Sequence, residues 1–446
     1  MDISAQNRAT PMDLRYVKIM RFAMWTIGSW PGRELGERVW RISEYYIYYL
    51  HVQALTALIP VIFYVAHEAK KIPFLILGHN CITLCLSFAS TAKMSLLCIR
   101  KRYREYGKIF FSKMHLIYFK NKSEYAMKTH LQVHRISELC TFYLVSMLGA
   151  TIIFFNTGPI YVNYSEGLYR TGIPENSTKV YAHAAYYRFP FECNYLTNFK
   201  NYILVSLFTW NISYFCGSFL TILDCYLYIT VFHIWGHFKI LIHDLEMIPK
   251  PLPNPGKSTE ELLLDKYSAE ESKQVNEKLK RCVDYHRLII GFTKMMSDVF
   301  GSTLMIYTGV MLVLTCLLLL ECSYMNTEAF MRYGPLTLMV FQELIQFGLV
   351  FELIGTAGEK LKKVVYDLPW EYMNRENRFI VLILLMNVQK PVRVKALGVT
   401  DMGVATVASA MGWQPVTIWI SIPSLSRAAE RGHSVFSGLM VYVCMY

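Results

Sequence analysis

Long apolar stretches, each close to the length that a bilayer requires, alternate along the chain with charged connections. This pattern predicts seven transmembrane helices, because a soluble fold would have to bury several uncharged helices of about 20 residues completely. The fourth stretch is longer than a bilayer needs and is expected to extend beyond the membrane. The predicted spans are approximately residues 44–65, 74–98, 138–158, 202–232, 302–322, 336–356 and 395–420.

The region before and within the last apolar stretch has an unusual pattern. An apolar run, Phe379–Val388, is interrupted by Gln389-Lys390-Pro391, and a segment rich in glycine and alanine follows. Proline has no backbone N–H and disfavours helical geometry in the residue before it, so the pattern predicts two helices with a break between them. Small residues let backbones approach closely, and the second helix is therefore expected to pack against other helices or around an axis.

The composition supports a membrane protein. Of 446 residues 54% are hydrophobic, and the mean hydropathy is +0.27. The net charge of +12 is compatible with nucleic-acid binding, but the basic residues cluster between the predicted spans, which favours membrane topology and no nucleic-acid partner. Residues 1–43 are polar and contain no apolar signal-peptide core, so the first span is expected to direct its own insertion.

The distribution of lysine and arginine predicts the orientation. One set of connections carries 34 of the 45 basic residues and the other set carries 9. Basic connections stay on the cytoplasmic side, so the N-terminus is expected in the cytoplasm and the C-terminus outside the cell. The cytoplasmic set is 1–43, 99–137, 233–301 and 357–394, and the outer set is 66–73, 159–201, 323–335 and the tail after 420.

Two of the connections carry further signals. The outer connection 159–201 contains the sequons at Asn163 and Asn176, where glycosylation is expected. In the cytoplasmic connection 233–301, Ser268 and Glu271 form a capping-box pattern, and apolar residues then recur at helical spacing into the fifth span. A single long helix is predicted there, in preference to a solvated linker.

The sequence gives no support for an enzyme. Gly256-Lys257-Ser258 resembles the end of a phosphate-binding loop, but Pro251 stands where the first glycine would be. The pattern that begins at His67-Glu68 does not continue as a zinc-protease motif. No CxxC pair is present, and neither a metal nor a cofactor is predicted.

Ionisable residues within the predicted spans are candidates for a functional role, because burial of a charge there is costly. Lys93, Asp224 and Glu352 lie toward the inner ends, and their side chains are expected to reach the interface. Glu343 lies midway along the sixth span, and a structural partner in the bundle or a place near a ligand or pore are equally good interpretations.

The outer halves of the second, third, fourth and sixth spans combine aromatic and apolar residues with a few polar groups. That chemistry suits a small volatile ligand held by shape, dispersion and one or two polar contacts, although ordinary helix packing explains any single position as well. The candidate ligand-binding residues are Leu77, Cys81, Ser146, Phe154, Phe155, Phe208, Trp210, Tyr214, Phe341 and Gln342.

The apolar run before Gln389-Lys390-Pro391 and the small-residue segment after it resemble the end of the insect odorant receptors. The resemblance implies an all-α membrane protein with seven helices, whose last helix is split into a cytoplasmic anchor half and a pore half. It further implies a plasma-membrane odorant receptor, the odorant-sensing subunit of a ligand-gated non-selective cation channel that forms a hetero-tetramer with a co-receptor. The pore-helix positions implied are Gly398, Gly403, Ala405 and Ala408.

After Ser409 the chain departs from that family. Pro415 is expected to break or kink the helix, so the subunit is predicted to assemble but to open poorly. The alternatives are a seven-span receptor that signals through G proteins and a transporter. The resulting division is 1–43 cytoplasmic, 44–232 with helices one to four, 233–301 cytoplasmic, 302–394 with helices five and six and the anchor helix, 395–420 the pore-type helix, and 421–446 an atypical tail.

Overall fold

A computed structural model of the chain describes residues 9–40, 42–68, 74–98, 100–171, 173, 179–251, 266–323, 327–390, 392–396 and 400–404. This part of the chain is almost entirely helical, so the prediction of an all-α membrane fold is confirmed, and six of its helices are long and apolar enough to cross a membrane. The helices are α1 (Arg15–Thr26), α2 (Ile42–Glu68), α3 (Phe74–Met94), α4 (Arg100–Ile109), α5 (Glu124–Ser165), α6 (Leu168–Thr171), α7 (Phe199–Glu246), α8 (Ala269–Ser323), α9 (Thr327–Tyr366) and α10 (Arg375–Val388).

The first six predicted spans lie in α2, α3, α5, α7, α8 and α9. Three of these helices extend far beyond the predicted spans, with 42 residues in α5, 48 in α7 and 55 in α8. At about 1.5 Å per residue they are roughly 60–80 Å long, which is at least twice the thickness of the hydrocarbon core. The bundle therefore continues outside the bilayer as a second packed layer of helices.

The start of α8 confirms the predicted capping box. The backbone N–H of Ser268 donates to Oε2 of Glu271 at 2.8 Å, and the N–H of Glu271 donates to Oγ of Ser268 at 3.3 Å. The apolar stripe is also where the pattern predicted it, since Val275, Leu279 and Ile289 are buried. One continuous helix therefore runs from the connection 233–301 into the fifth span.

Helix α7 is the centre of the bundle. It packs against α5 and α9 along much of its length and also contacts α3 and α8. At Gly217 the backbone of α7 comes so close to α5 that a Cβ atom would lie 3.0 Å from Cδ1 of Leu148. The N-terminal end of α7 is defined locally, because Oδ1 of Asn198 accepts the backbone N–H of Lys200 at 3.0 Å.

The N-terminal helix α1 is docked on the bundle through a buried tyrosine. The hydroxyl of Tyr16 lies 2.7 Å from Nε2 of His115 and 3.2 Å from Nε2 of His233. The backbone N–H groups of Ile117 and Leu116 donate to Nδ1 of His115 and Nδ1 of His233. Because each Nδ1 accepts, each neutral ring carries its proton on Nε2 and donates it to the tyrosine oxygen. Both histidines are thereby held in the uncharged form.

The chain beyond α10 corrects one prediction. The predicted last helix begins at residue 395, whereas Lys395–Ala396 (β1) and Thr400–Asp401 (β2) form a two-stranded antiparallel sheet in which Lys395 pairs with Asp401. The pair is fixed to the bundle, because the N–H of Lys395 donates to Oγ of Ser297 at 3.2 Å. Tertiary contact with α8 thus overrides the weak helical pattern of this short segment. The predicted pore positions Gly398, Ala405 and Ala408, together with Pro415 and the tail 421–446, lie outside the described residues.

Candidate functional site

The ten candidate ligand-binding residues lie on four helices that meet around α7. Eight of them are half-buried, and the other two, Ser146 and Phe154, are exposed on α5, Phe154 by 74%. These two are therefore the least suited of the ten to an enclosed site. The ten are Leu77 and Cys81 on α3, Ser146, Phe154 and Phe155 on α5, Phe208, Trp210 and Tyr214 on α7, and Phe341 and Gln342 on α9.

A crevice opens between the C-terminal part of α5, the N-terminal part of α7 and the connection that follows residue 178. Among the ten candidates, all of which the structure describes, Trp210 lines this crevice. Its space is small, with room for about one water molecule. Further lining residues are Asn156 and Pro159 from α5, Tyr202 and Thr209 from α7, and His183 from the connection.

Tyr187 and Tyr195, in the connection before α7, form an aromatic cover over the N-terminal part of α7, here called the aromatic roof. The ring of Phe208 meets the ring of Tyr187 edge to face, with centroids 5.5 Å apart. The roof is closed by a two-way hydrogen bond, because the hydroxyl of Tyr195 donates to the carbonyl of Tyr187 at 2.8 Å and accepts its N–H at 3.0 Å. Phe208 is thus placed beneath the connection, next to the crevice.

Two polar contacts join the helices of this region, and three of their four residues, Asn156, Ser213 and Tyr143, are not among the ten candidates. Nδ2 of Asn156 on α5 donates to Oγ of Ser213 on α7 at 2.7 Å. Nε2 of Gln342 on α9 donates to the hydroxyl of Tyr143 on α5. A polar side chain inside an apolar run is the signal that marks Asn156 and Ser213. The arrangement offers a few hydrogen-bonding groups within a mostly apolar surface, which suits a small apolar ligand with one polar function.

The environment of Asn163 argues against the predicted glycan at this residue. Its side chain is fully buried at the end of α5, where Nδ2 donates to the carbonyl of Ala182 at 3.0 Å and Oδ1 accepts the N–H of Ala182 at 2.8 Å. Nδ2 also lies 3.1 Å from the hydroxyl of Tyr202. The side chain instead joins the connection between α6 and α7 to α5 and α7, a role that a three-residue sequon does not reveal. The second predicted site, Asn176, lies outside the described residues.

A charged cluster inside the bundle corrects the interpretation of Lys93 and Asp224. Nζ of Lys93 on α3 lies 2.6 Å from Oδ2 of Asp224 on α7, and both side chains are almost fully buried. Nζ also donates to the carbonyl of Leu220 at 3.0 Å and lies 3.5 Å from the centroid of the Tyr307 ring on α8. Neither side chain therefore reaches the interface, because each neutralises the other within the bundle.

Glu343 belongs to the same cluster. The hydroxyl of Tyr307 donates to Oε1 of Glu343 on α9. The structure thus favours the first of the two interpretations of Glu343, that of a partner within the bundle. Four helices, α3, α7, α8 and α9, are joined by this one cluster of charged and polar groups.

The long apolar helices, with an aromatic crevice between two of them, define a multi-span membrane protein. Residues 74–412 match the model of the 7tm odorant receptor family, and the chain belongs to this family. The resemblance stated from the sequence is confirmed. The family is one of receptors rather than enzymes.

Individual relatives agree with this assignment. Over 136 residues the chain is 26% identical to odorant receptor 67a of Drosophila melanogaster, and the match covers 30% of this chain and only 33% of the relative. The fold is similar to that of the olfactory receptor OR5 from Machilis hrabei, with a TM-score of 0.68 over 89% of this chain and 95% of that one, at 12% identity. The structure of OR5 in complex with eugenol gives a TM-score of 0.65 at the same identity, over 89% and 94% of the two chains.

Proposed function

We propose that this odorant receptor is the odorant-sensing subunit of a ligand-gated, non-selective cation channel in the plasma membrane. The channel assembles as a hetero-tetramer with a co-receptor subunit. The observation that carries the proposal is an apolar face on α10 that the rest of the chain, as far as the structure describes it, leaves uncovered.

One face of α10 is fixed to the bundle. Its helical start is capped by Oδ1 of Asn374, which accepts the N–H of Asn377 at 2.9 Å, and the buried Asn377 donates in turn to the carbonyl of Ser272 on α8 at 2.9 Å. Val381 and Leu384 continue the buried face. The helix is therefore held rigidly against the start of α8.

The opposite face of α10 is apolar and exposed. Phe379 is exposed by 62% and Met386 by 61%, and Leu382 and Ile383 lie between them. With 14 residues the helix is too short to cross a bilayer. An apolar surface of this kind outside the membrane indicates a protein contact, and a second subunit would cover it.

The ligand part of the proposal rests on the aromatic crevice and on the similarity to a receptor whose structure contains eugenol. We assign the odorant to the region between α3, α5, α7 and α9, where Trp210 lines the crevice and Phe208 lies beneath the aromatic roof. The other eight candidate residues remain proposals for the same region. The pore helix is proposed to begin after β2, with Gly403, Ala405 and Ala408, because Gly398 lies between the two paired strands.

The orientation of the protein in the membrane is part of the proposal. We infer from the basic connections that the N-terminus, the start of α8 and α10 lie in the cytoplasm. Epitope tags at the N-terminus and near Lys257 should be inaccessible to antibody in intact cells and accessible after permeabilisation. Surface staining of the N-terminal tag would exclude this orientation and would favour the G-protein-coupled alternative.

Assembly is tested by co-purification with the co-receptor from cells that express both subunits. Met386→Lys places a charge on the exposed face of α10 and should reduce recovery of the co-receptor by about tenfold or more, as expected for a residue at the centre of an interface. Met247→Lys is the matched control, because Met247 at the end of α7 is exposed to a similar extent. Equal recovery with both variants would exclude α10 as the assembly surface.

A further inference from the structure

Helix α1 has a buried stripe and an exposed stripe on opposite sides. Tyr16, Met20 and Met24 are buried against the bundle. The exposed stripe begins with two cations, Arg15 and Lys18, and ends with two aromatic residues, Phe22 and Trp25, which are 70% and 67% exposed. The spacing of these four residues, at 15, 18, 22 and 25, places them on one side of the helix.

The C-terminal end of α1 is fixed to the beginning of the first membrane helix. The hydroxyl of Tyr46 on α2 donates to the carbonyl of Thr26 at 2.8 Å. The ring of Tyr46 also lies against Gly28, where a Cβ atom would be only 3.2 Å from Cδ1 of the ring. Gly28 has a φ of +65°, so glycine permits both the turn and the contact. Phe22 and Trp25 are therefore held at the same depth as the first turns of α2.

Exposed aromatic side chains lie on the first turns of α2 and just before them, at the same depth as Phe22 and Trp25. Trp40 is exposed by 80%, and Tyr45, Tyr48 and Tyr49 are also exposed. Tryptophan and tyrosine side chains at the end of an apolar helix are typical of the membrane–water interface, where an amphipathic ring contacts both acyl chains and headgroups. The exposed stripe of α1 is thus continuous with a lipid-facing surface.

The neighbouring helix α4 adds positive charge to the same side of the bundle. It lies against the segment after α1, since Nη1 of Arg104 is 3.5 Å from Oε1 of Glu34 and a Cβ atom at Gly107 would be 2.8 Å from Cγ of Pro31. Lys101, Arg102 and Lys108 of α4 are exposed. A helix with cations and aromatic residues on one face, next to a basic helix, complements an anionic membrane surface.

We propose that the exposed stripe of α1 docks on the cytoplasmic leaflet, with Phe22 and Trp25 inserted among the lipids and Arg15 and Lys18 bound to the phosphates of anionic lipids. The leaflet is cytoplasmic because of the orientation given under Proposed function. A protein partner fits less well, because a stripe of four side chains is far smaller than the roughly 800 Å² per partner of a stable interface.

The first test measures the contact of Trp25 with lipid. The full-length protein is placed in nanodiscs of phosphatidylcholine and phosphatidylserine, with or without lipid brominated near the headgroup. Bromine quenches nearby indoles, so Trp25→Phe should remove a quenchable component of the tryptophan fluorescence. Trp370→Phe is the matched control, because Trp370 is half-exposed on the turn before α10 and should contribute an unquenched component.

The second test measures how much Arg15 and Lys18 contribute to stability in the presence of anionic lipid. Thermal unfolding midpoints are compared between nanodiscs of phosphatidylcholine alone and nanodiscs that also contain phosphatidylserine. The wild-type protein should gain stability with phosphatidylserine, and added salt should weaken the gain. Arg15→Gln with Lys18→Gln should abolish the gain, whereas Lys273→Gln with Lys278→Gln, an exposed pair on α8, should retain it.

An unquenched Trp25 overturns the proposal, and so does a phosphatidylserine effect that survives removal of both charges. If Trp25 becomes shielded only when the co-receptor is present, a protein covers the stripe and the proposal is also overturned. Both leaflets of these nanodiscs have the same composition, so these results do not depend on the orientation in cells. The epitope tags test that orientation separately.

Discussion

The carboxylate of Glu352 on α9 accepts a hydrogen bond from the backbone N–H of Val404, with 3.3 Å between Oε2 and N. This contact joins the helix that carries Phe341 and Gln342 to the segment that leads toward the proposed pore. Close packing accompanies it, because a Cβ atom at Gly403 would lie 2.6 Å from the same oxygen. We therefore expect a movement of α9 on ligand binding to be transmitted to this segment.

Loss of this contact should uncouple the ligand site from the channel. Gly403→Ala would push the carboxylate of Glu352 away from the N–H of Val404, and Glu352→Ala would remove the acceptor. Both variants should give smaller odorant-evoked currents, while the rank order of odorants stays the same because the crevice is untouched. Gly149→Ala on α5 is the control, since a Cβ atom there meets no atom within 4 Å. A changed rank order would place Glu352 in the ligand site instead.

The buried pair of Lys93 and Asp224 predicts a strong effect on stability. Lys93→Met leaves the carboxylate of Asp224 without its cation in the interior, which costs about 3–5 kcal/mol. The purified variant should therefore unfold at a clearly lower temperature. The double variant Lys93→Met with Asp224→Leu removes both charges and should recover much of the loss. A single variant as stable as the wild type would show that the cluster does not hold the helices together.

The sequence predicts the elements whose signal is local. Apolar stretches of sufficient length predict six spans, and Ser268 with Glu271 predicts the start of α8. The extensions of α5 and α7 beyond the membrane have no uniform apolar pattern and are helical because they pack on each other and on α1. Lys93 and Asp224 are 131 residues apart in sequence, so their pairing depends on how α3 packs against α7.

The candidate site, like the fold, can be predicted from the sequence only in part. The chemistry of the site and its helices follows from aromatic residues in the outer halves of spans. The sequence does not show which of two adjacent residues faces inward, because α5 contains too many apolar residues for a clear stripe. In the structure, Phe155 is half-buried and its neighbour Phe154 is exposed. The interhelical bond of Asn156 to Ser213 likewise depends on the rotation of α5 relative to α7.

The histidines around Tyr16 predict sensitivity to acid. Burial and the nearby histidines lower the pKa of His115 well below its ordinary value. The folded protein therefore binds fewer protons than the unfolded chain, and stability is present above the unfolded pKa of about 6.5 and is lost as the pH falls below it. The unfolding midpoint of the purified protein should fall between about pH 7.5 and about pH 5.5, where carboxylates remain ionised.

The matched variant for this prediction is Tyr16→Phe. It removes the oxygen that accepts from both Nε2 atoms and should destabilise the protein by about 1–3 kcal/mol at neutral pH, because buried donors lose their partner. A midpoint that does not change between the two pH values would show that these histidines do not control the docking of α1.

The two adjacent phenylalanines of α5 allow a direct test of the ligand site. Phe155→Ala and Trp210→Ala should each weaken odorant responses by up to about 1–2 kcal/mol, roughly a 5- to 30-fold increase in the half-maximal concentration. Phe154→Ala should have a smaller effect, since its side chain is largely exposed. Unchanged dose–response curves for both Phe155→Ala and Trp210→Ala, with normal surface expression, would place the odorant elsewhere.

We propose that this receptor senses odorants as one subunit of a cation channel. The most direct measurement is whole-cell current in response to a panel of odorants, in cells that express the chain alone, the co-receptor alone or both. We expect an odorant-evoked, non-selective cation current that requires both subunits and persists when G-protein signalling is blocked. A response that needs G proteins, or that this chain gives to the same extent without the co-receptor, would contradict it.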